Sequence, residues 1–172
     1  MNSPILSQSI VAMAAVAVLL FAAAHDIAFR VIPNAVPVTV MAAGLWLSLA
    51  RGQSGAAMCI AFSVFSGAWV LWRNGWMGGG DVKLLAASSL LVSPESVPAL
   101  LLNTALSGGV LAFVYLLLSR IPPAAICQRP RGLALRIWRI ERRRIRRAAS
   151  LPYGCAIAMG ALTAMGSPFH SG

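Results

Sequence analysis

The sequence predicts an all-α, polytopic membrane protein with about six transmembrane helices. Of its 172 residues, 59% are hydrophobic and only 10% are charged, whereas about 25% are charged in a typical soluble domain. The mean hydropathy is +0.79. Because a helical span takes roughly 20 apolar residues, the roughly 140 residues outside one polar stretch suffice for six spans. This composition excludes a soluble globular domain, a disordered chain and a disulfide scaffold.

Six apolar segments follow one another, separated by short polar or glycine-rich breaks. The segments are 5–24, 36–50, 56–72, 82–92, 99–119 and 151–168. Because no Lys or Arg precedes the first segment, we interpret it as a retained span rather than a signal peptide. Segment 82–92 has 11 residues and would cross about half of the hydrocarbon core, so it must recruit flanking residues or lie among neighbouring helices. We expect one membrane domain over residues 1–172.

The distribution of basic residues predicts the orientation of these spans. With the N-terminus outside, six spans place 13 of the 14 basic residues on the inner side and only Arg51 on the outer side. The positive-inside rule therefore favours six spans with both termini outside. The inner basic residues are Arg30, Arg73, Lys83 and ten arginines between Arg120 and Arg147.

The one strongly charged stretch lies in the predicted inner loop at about 120–150. On a helical projection its arginines cluster on one side, and apolar residues such as Ile137 and Trp138 lie on the other. We expect Arg129–Arg147 to form an amphipathic helix on the cytoplasmic leaflet, bound to anionic lipid. Nucleic acid is not the expected partner, because the stretch connects two spans.

Two of the four acidic residues lie at the edges of predicted spans. Asp26 ends the first span and Asp81 opens the fourth. An ionisable residue at membrane depth indicates function by default. The first span enters the inner side and the fourth leaves it, so both carboxylates should lie at one membrane level. Two such carboxylates cannot both ionise easily, so one can act as acid and the other as base on a water molecule. The alternative is two unrelated carboxylates, each paired with an arginine, such as Asp26 with Arg30.

Glycine and proline surround both acids. Gly78, Gly79 and Gly80 precede Asp81, where the absence of side chains would let a substrate backbone approach. Ile32, Pro33 and Asn34 follow Asp26 and predict a sharp turn. A flexible connector and an ordinary turn are the respective alternatives.

These residues resemble the type IV prepilin peptidases, which are GxGD intramembrane aspartyl proteases. Three elements occur in the order of that family and span the chain. The first is Asp26 with Arg30-Val31-Ile32-Pro33-Asn34, which resembles the Asp…R-x-IPN element. The second is Gly78-Gly79-Gly80-Asp81-Val82-Lys83-Leu84, which resembles GxGDxKL. The third is Leu151-Pro152-Tyr153-Gly154 with Ala156-Ile157 and Gly160, which resembles PYGPAI…G. Cys155 stands where that pattern usually has proline.

The resemblance implies an activity and a substrate class. It implies that Asp26 and Asp81 are catalytic and that a prepilin, with a basic leader and a hydrophobic helix, is cut after the leader glycine at the cytoplasmic face of the bacterial inner membrane. The insert with four cysteines that is found in larger, methylating members has no counterpart here, which indicates the short, peptidase-only Flp/Tad-type branch. It implies binding or structural roles for the other matched residues. These are Gly78, Gly79, Gly80, Lys83, Pro33, Asn34, Pro152, Tyr153 and Gly154.

No metal or cofactor is expected, because two carboxylates can activate water themselves and the three cysteines are widely separated. Two other classes of function stay open at this point. One is a small ion-coupled transporter, which would favour acids near the bilayer midplane and repeated halves. The other is a non-catalytic membrane scaffold of a pilus or secretion assembly. The oligomeric state and the exact pilin are left open.

Overall fold

A computed structural model describes residues 3–120 and 151–166, and every regular element in this part of the chain is helical. The all-α fold class is therefore confirmed. Six α-helices occur in the described residues, with a 3₁₀ turn at Pro94–Ser96 before the fifth. They are α1 (Ser3–Phe29), α2 (Ala35–Ala50), α3 (Ser54–Arg73), α4 (Gly79–Ser89), α5 (Val97–Ser119) and α6 (Tyr153–Gly166). The basic stretch Arg129–Arg147 and its predicted lipid contact lie outside the described residues.

Two helix boundaries differ from the sequence prediction in ways that matter for the site. Helix α1 continues to Phe29, past the predicted end of the first segment at residue 24, so Asp26 lies in its last turn. Helix α4 begins at Gly79 and ends at Ser89, so it includes two of the three glycines and stops before the predicted Val92. In both cases, helical hydrogen bonding continues through residues that we expected to interrupt it.

Three of the described helices are long and apolar enough to cross a membrane. They are found within 5–29, 54–73 and 94–118, while Ala35–Ala50 and Tyr153–Gly166 are apolar but shorter. Helix α4, with 11 residues, rises only about 16 Å. These features are those of a polytopic membrane protein; the complete set of six crossings remains a prediction.

The chain divides into two compact units, residues 1–108 with 152–172, and residues 109–151. In the first unit, α4 packs against α2, α3 and α6, and α1 packs against α2 and α6. Its core is formed by fully buried aliphatic side chains from most of these helices. Examples are Leu19, Val40, Leu47, Leu84, Leu100 and Ile157. The described part of the second unit is the end of α5, from Gly109.

Small residues bring two pairs of helices in the first unit close together. A Cβ added to Gly44 of α2 would lie 2.6 Å from Leu90 Cβ at the end of α4. A Cβ added to Gly160 of α6 would collide with the hydroxyl of Thr104 on α5. Close backbone approach at small residues is a principal source of helix association in membranes, where water exclusion provides no drive. These contacts fix α4 and α6, the helices that begin at the candidate site.

Candidate active site

Asp26 lies in the last turn of α1 and is held by the start of α6. Its side chain is 5% exposed, and its Oδ2 accepts a hydrogen bond of 2.9 Å from the backbone N–H of Gly154. The first amides of a helix lack intrahelical acceptors, and a carboxylate is a favourable partner for them. The sequence thus brings together two residues that are 128 positions apart.

Gly154 is required by the closeness of this contact. A Cβ at this position would lie 2.8 Å from Asp26 Oδ2 and 3.1 Å from both Cβ and Cγ of Asp26. Pro152 is fully buried just before α6, and its carbonyl accepts the N–H of Cys155 at 3.2 Å. The predicted group Pro152, Tyr153 and Gly154 therefore forms the start of α6 and places a backbone donor on Asp26.

Cys155 secures the same junction from the next position. Its Sγ lies 3.3 Å from the carbonyl oxygen of Ala23 and donates to it across the α1–α6 contact. The residue that departs from the PYGPAI pattern is thus accommodated without displacing Gly154. Tyr153, the first residue of α6, lies close to Gly108 of α5 and is half-buried.

Asp81 lies in the first turn of α4, directly after the glycine run. Gly78 precedes the helix in an extended conformation, and its carbonyl accepts the Asp81 N–H at 3.1 Å. A Cβ on Gly78 would lie 2.8 Å from Asp81 Oδ2, so a larger residue would crowd the carboxylate. Unlike Asp26, Asp81 is only partly buried.

The other two glycines make room for the protein's own side chains. A Cβ on Gly79 would meet the Trp72 indole nitrogen at 3.3 Å, and one on Gly80 would meet Ile32 Cβ at 3.3 Å. The interpretation that the three glycines leave space for a substrate stays a prediction. The small size of Gly79 and Gly80 lets α4 pack against the end of α3 and against the loop that follows α1.

The loop after α1 connects the two acidic elements. Lys83 Nζ of α4 donates to Asn34 Oδ1 at 3.1 Å, and the Pro33 carbonyl accepts the first amide hydrogen bond of α2, from Val36 at 3.0 Å. Lys83 is exposed, and it has this definite partner within the protein. The elements that contain Asp26 and Asp81 are therefore joined through this loop as well as through α6.

His25 shapes the same loop, a role that the sequence did not indicate. Its Nδ1 lies 2.8 Å from the Val31 carbonyl oxygen, and its ring packs between Phe21 and Phe29. Arg30 has a φ of +58°, a left-handed conformation that reverses the chain immediately after α1. The sequence has no local pattern that predicts this contact, because the partner of His25 is the backbone carbonyl of an apolar residue six positions later.

The two carboxylates interact although they belong to different helices. Asp26, at the C-terminal end of α1, lies within electrostatic reach of Asp81, at the N-terminal end of α4. Among the described residues, no group of three or more His, Cys, Asp or Glu side chains is placed to hold a metal ion. The groups that the described residues place here are two carboxyl groups, one buried and one partly buried.

The fold and the site together define a helical membrane protein in which two acidic residues, at the ends of separate helices, lie within electrostatic reach of each other. The model of the type IV leader peptidase family matches residues 13–113, which include Asp26, Asn34, Asp81 and Lys83. This match extends over more than half of the chain, and the protein belongs to that family. Family membership supports a leader-peptidase activity in a membrane protein. No match was found among curated proteins or among solved structures.

Proposed function

We propose that this protein is an aspartic prepilin peptidase in which Asp26 and Asp81 activate a water molecule. It cuts a type IV or Flp-like prepilin after the leader glycine, at the cytoplasmic face of the inner membrane. The observation that carries the proposal is the approach of two carboxylates from separate helices, one of them held by the Gly154 amide. The family match supports the leader-peptidase class but leaves the dyad itself to be tested.

The reaction needs one carboxylate and one carboxylic acid. The carboxylate accepts a proton from water while the water oxygen bonds to the scissile carbonyl carbon, and the acid donates its proton to the carbonyl oxygen. The resulting tetrahedral intermediate then breaks its C–N bond. The departing nitrogen takes the proton that the first carboxyl group had accepted, and the intermediate hydroxyl returns its proton to the second. Both carboxyl groups then have the protonation states in which they started.

The surrounding residues support this chemistry by position. Gly78 and Gly154 let the backbone approach the two carboxyl groups closely, since an added Cβ at either position would lie 2.8 Å from a carboxylate oxygen. Asn34 and Lys83 join the loop after α1 to α4 by their hydrogen bond. A displacement of about 1 Å in a reacting group can cost about 100-fold in rate, so such supports affect catalysis without touching the scissile bond.

The distribution of basic residues determines on which side of the membrane we expect cleavage. Thirteen of the 14 basic residues lie on one side of the predicted topology, and the positive-inside rule makes that side cytoplasmic. The end of α1 and the start of α4 belong to it, so cleavage takes place where a polar leader emerges from the membrane.

The test is leader cleavage in membranes. The chain is co-expressed with a Flp-type prepilin, and the pilin mass is compared for wild type, Asp26→Asn and Asp81→Asn at matched expression. We expect each substitution to reduce cleavage by about 100-fold or more, because each removes a proton-transfer group. Glu95→Gln is the matched control, since Glu95 is exposed in the 3₁₀ turn beyond the far end of α4.

The outcomes separate the classes of function. Cleavage that survives either aspartate substitution removes that residue from the mechanism and refutes the dyad. A panel of leaders that wild type leaves uncut, although the protein is inserted, favours a non-catalytic scaffold. Cleavage by wild type and by Glu95→Gln alone supports the aspartic peptidase.

A further inference from the structure

The loop between α1 and α2, residues 30–34, begins with a turn that needs other contacts to hold it. Arg30 has a φ of +58°, a conformation that residues other than glycine adopt at an energetic cost. The turn follows α1 at once, since the Arg30 N–H still donates to the Asp26 carbonyl at 2.8 Å. Such a backbone conformation persists where the surrounding structure stabilises it. One stabilising contact comes from His25.

His25 binds this loop by a hydrogen bond and packs along α1 by its ring. Its Nδ1 lies 2.8 Å from the Val31 carbonyl oxygen. A carbonyl oxygen only accepts, so Nδ1 has the hydrogen and donates it. The ring centroid lies 5.7 Å from that of Phe21 and 4.6 Å from that of Phe29. The side chain therefore makes two separable contacts, a polar one with the loop and an apolar one with its own helix.

The later residues of the same loop contact α4. A Cβ added to Gly80 would lie 3.3 Å from Ile32 Cβ, so the loop is packed directly against the start of that helix. Asn34 Oδ1 accepts the hydrogen bond from Lys83 Nζ at 3.1 Å. Because Gly80 directly precedes Asp81, a displacement of the loop would be transmitted to the first turn of α4 and to its carboxylate.

We propose that His25 is a positioning residue, which holds the loop 30–34 so that Asp81 stays in place relative to Asp26. This inference rests on the proposed function and adds a residue that acts on the dyad from outside it. His25 precedes Asp26 by one position, and adjacent helical residues do not face each other. The two acids thus have separate supports: Gly154 holds Asp26 directly, and His25 holds Asp81 through the loop.

Two substitutions of His25 separate its polar contact from its apolar one. Asparagine has an amide nitrogen on Cγ, where histidine has Nδ1, so His25→Asn keeps the donor and loses the ring. His25→Phe keeps an aromatic ring and loses the donor. We expect His25→Phe to lower kcat for leader cleavage about tenfold or more with KM changed less than about twofold, because misplaced reacting groups react slowly. His25→Asn should retain a kcat within about threefold of wild type.

Thermal unfolding in detergent distinguishes positioning from a general structural role. The ring contributes apolar contacts, so His25→Asn should unfold at a lower temperature than His25→Phe. Cleavage and unfolding temperature should therefore rank the two variants in opposite orders. Equal cleavage by the two variants, or the same order in both measurements, overturns the proposal. Phe21→Leu is the matched control, since it removes one ring contact, keeps the donor and should cleave as wild type does.

Nitrogen-15 NMR of the histidine-labelled protein tests the contact without catalysis. The sequence has two histidines, so His170→Asn leaves the signal of His25 alone. The hydrogen bond of a ring nitrogen determines which nitrogen is protonated, and we expect the hydrogen of the neutral ring on Nδ1. A hydrogen on Nε2 overturns the proposal. Cleavage that survives Asp26→Asn or Asp81→Asn refutes the dyad instead, and the NMR signal depends on neither acid, so the two failures are told apart.

Discussion

The Asp26 carboxylate is positioned by a backbone amide, so its environment depends on a residue that has no side chain. Gly154 donates to Oδ2 at 2.9 Å, and a single methyl group at that position would occupy the space of the carboxylate. Asp26 is also 5% exposed, so the carboxylate has little room to move aside. The position of one acid thus depends on the exact size of its neighbour.

This dependence gives a prediction for Gly154→Ala. We expect leader cleavage to fall by about 100-fold, because the displaced carboxylate loses its alignment with the water and with Asp81. Gly166→Ala is the matched control on the same helix, since a Cβ there meets no atom of the described residues within 4 Å. Cleavage is measured in membranes with both variants at equal expression. Equal cleavage by the two variants would show that the Gly154 contact does not position the acid.

The two acids were predictable at the residue scale, whereas their supports were only partly so. Asp26 and Asp81 stand out because acidic residues beside apolar spans are rare and costly. The contact between Gly154 and Asp26 joins positions 128 apart, and no local pattern specifies such a distance. The same holds for the Lys83–Asn34 hydrogen bond, which depends on how α4 packs against the loop after α1.

At the scale of elements, α4 is short because packing at both ends fixes it. Its start is close to Ile32 and Trp72 through Gly80 and Gly79. Beyond its end, Arg51 Nη1 donates to the Leu91 carbonyl at 3.0 Å, which ties the chain that follows α4 to the end of α2. The apolar pattern predicted a helix here but not its first and last residues. Glycines usually interrupt a helix, whereas here Gly79 and Gly80 are part of it and allow neighbouring residues to pack closely.

The α2–α4 contact gives a prediction for Gly44→Ala. The added Cβ would lie 2.6 Å from Leu90 Cβ and 2.9 Å from the Leu90 carbonyl carbon, so the two helices must separate. We expect a loss of about 1–3 kcal/mol in stability, which is typical of overpacking. Gly67→Ala on α3 is the matched control, because in the described part of the chain no atom lies within 4 Å of the added Cβ, and alanine is more favourable than glycine in a helix by about 0.8–1.0 kcal/mol.

Thermal unfolding in detergent measures both glycine variants. Gly44→Ala should unfold at a lower temperature than wild type, and Gly67→Ala at the same or a higher one. An unchanged midpoint for Gly44→Ala would mean that the α2–α4 contact yields without cost. Because α4 contains Asp81, we also expect Gly44→Ala to lower cleavage more than Gly67→Ala does.

At the scale of the whole molecule, the surface of the described helices is largely apolar. The described helices expose many large apolar side chains, as a membrane protein does when its surroundings are lipid. Leu6, Met13, Phe62, Leu102 and Phe113 are each at least 59% exposed. The fold class could be predicted because the apolar composition extends over the whole chain. The helix lengths were harder to predict, because packing between helices determines where each one ends. Three described helices reach the length of a span, and the orientation of the chain still depends on charge.

Orientation gives the last prediction, because the site must face the side where leaders emerge. Asn74, at the end of α3, and Glu95, in the 3₁₀ turn, are both exposed and lie on opposite sides of the predicted topology. In a chain with Cys59, Cys127 and Cys155 replaced by serine, Asn74→Cys and Glu95→Cys are treated with a membrane-impermeant thiol reagent.

We expect Glu95→Cys to be labelled in intact cells and Asn74→Cys only after permeabilisation, because the positive-inside rule places Arg73 and Lys83 in the cytoplasm. Permeabilised cells serve as the control, since both positions should then react. Labelling of Asn74→Cys in intact cells would mean that the true topology is the inverse of the predicted one. The carboxylate pair would then face away from newly made prepilins, and cleavage at the cytoplasmic face would be refuted even if both aspartates proved essential.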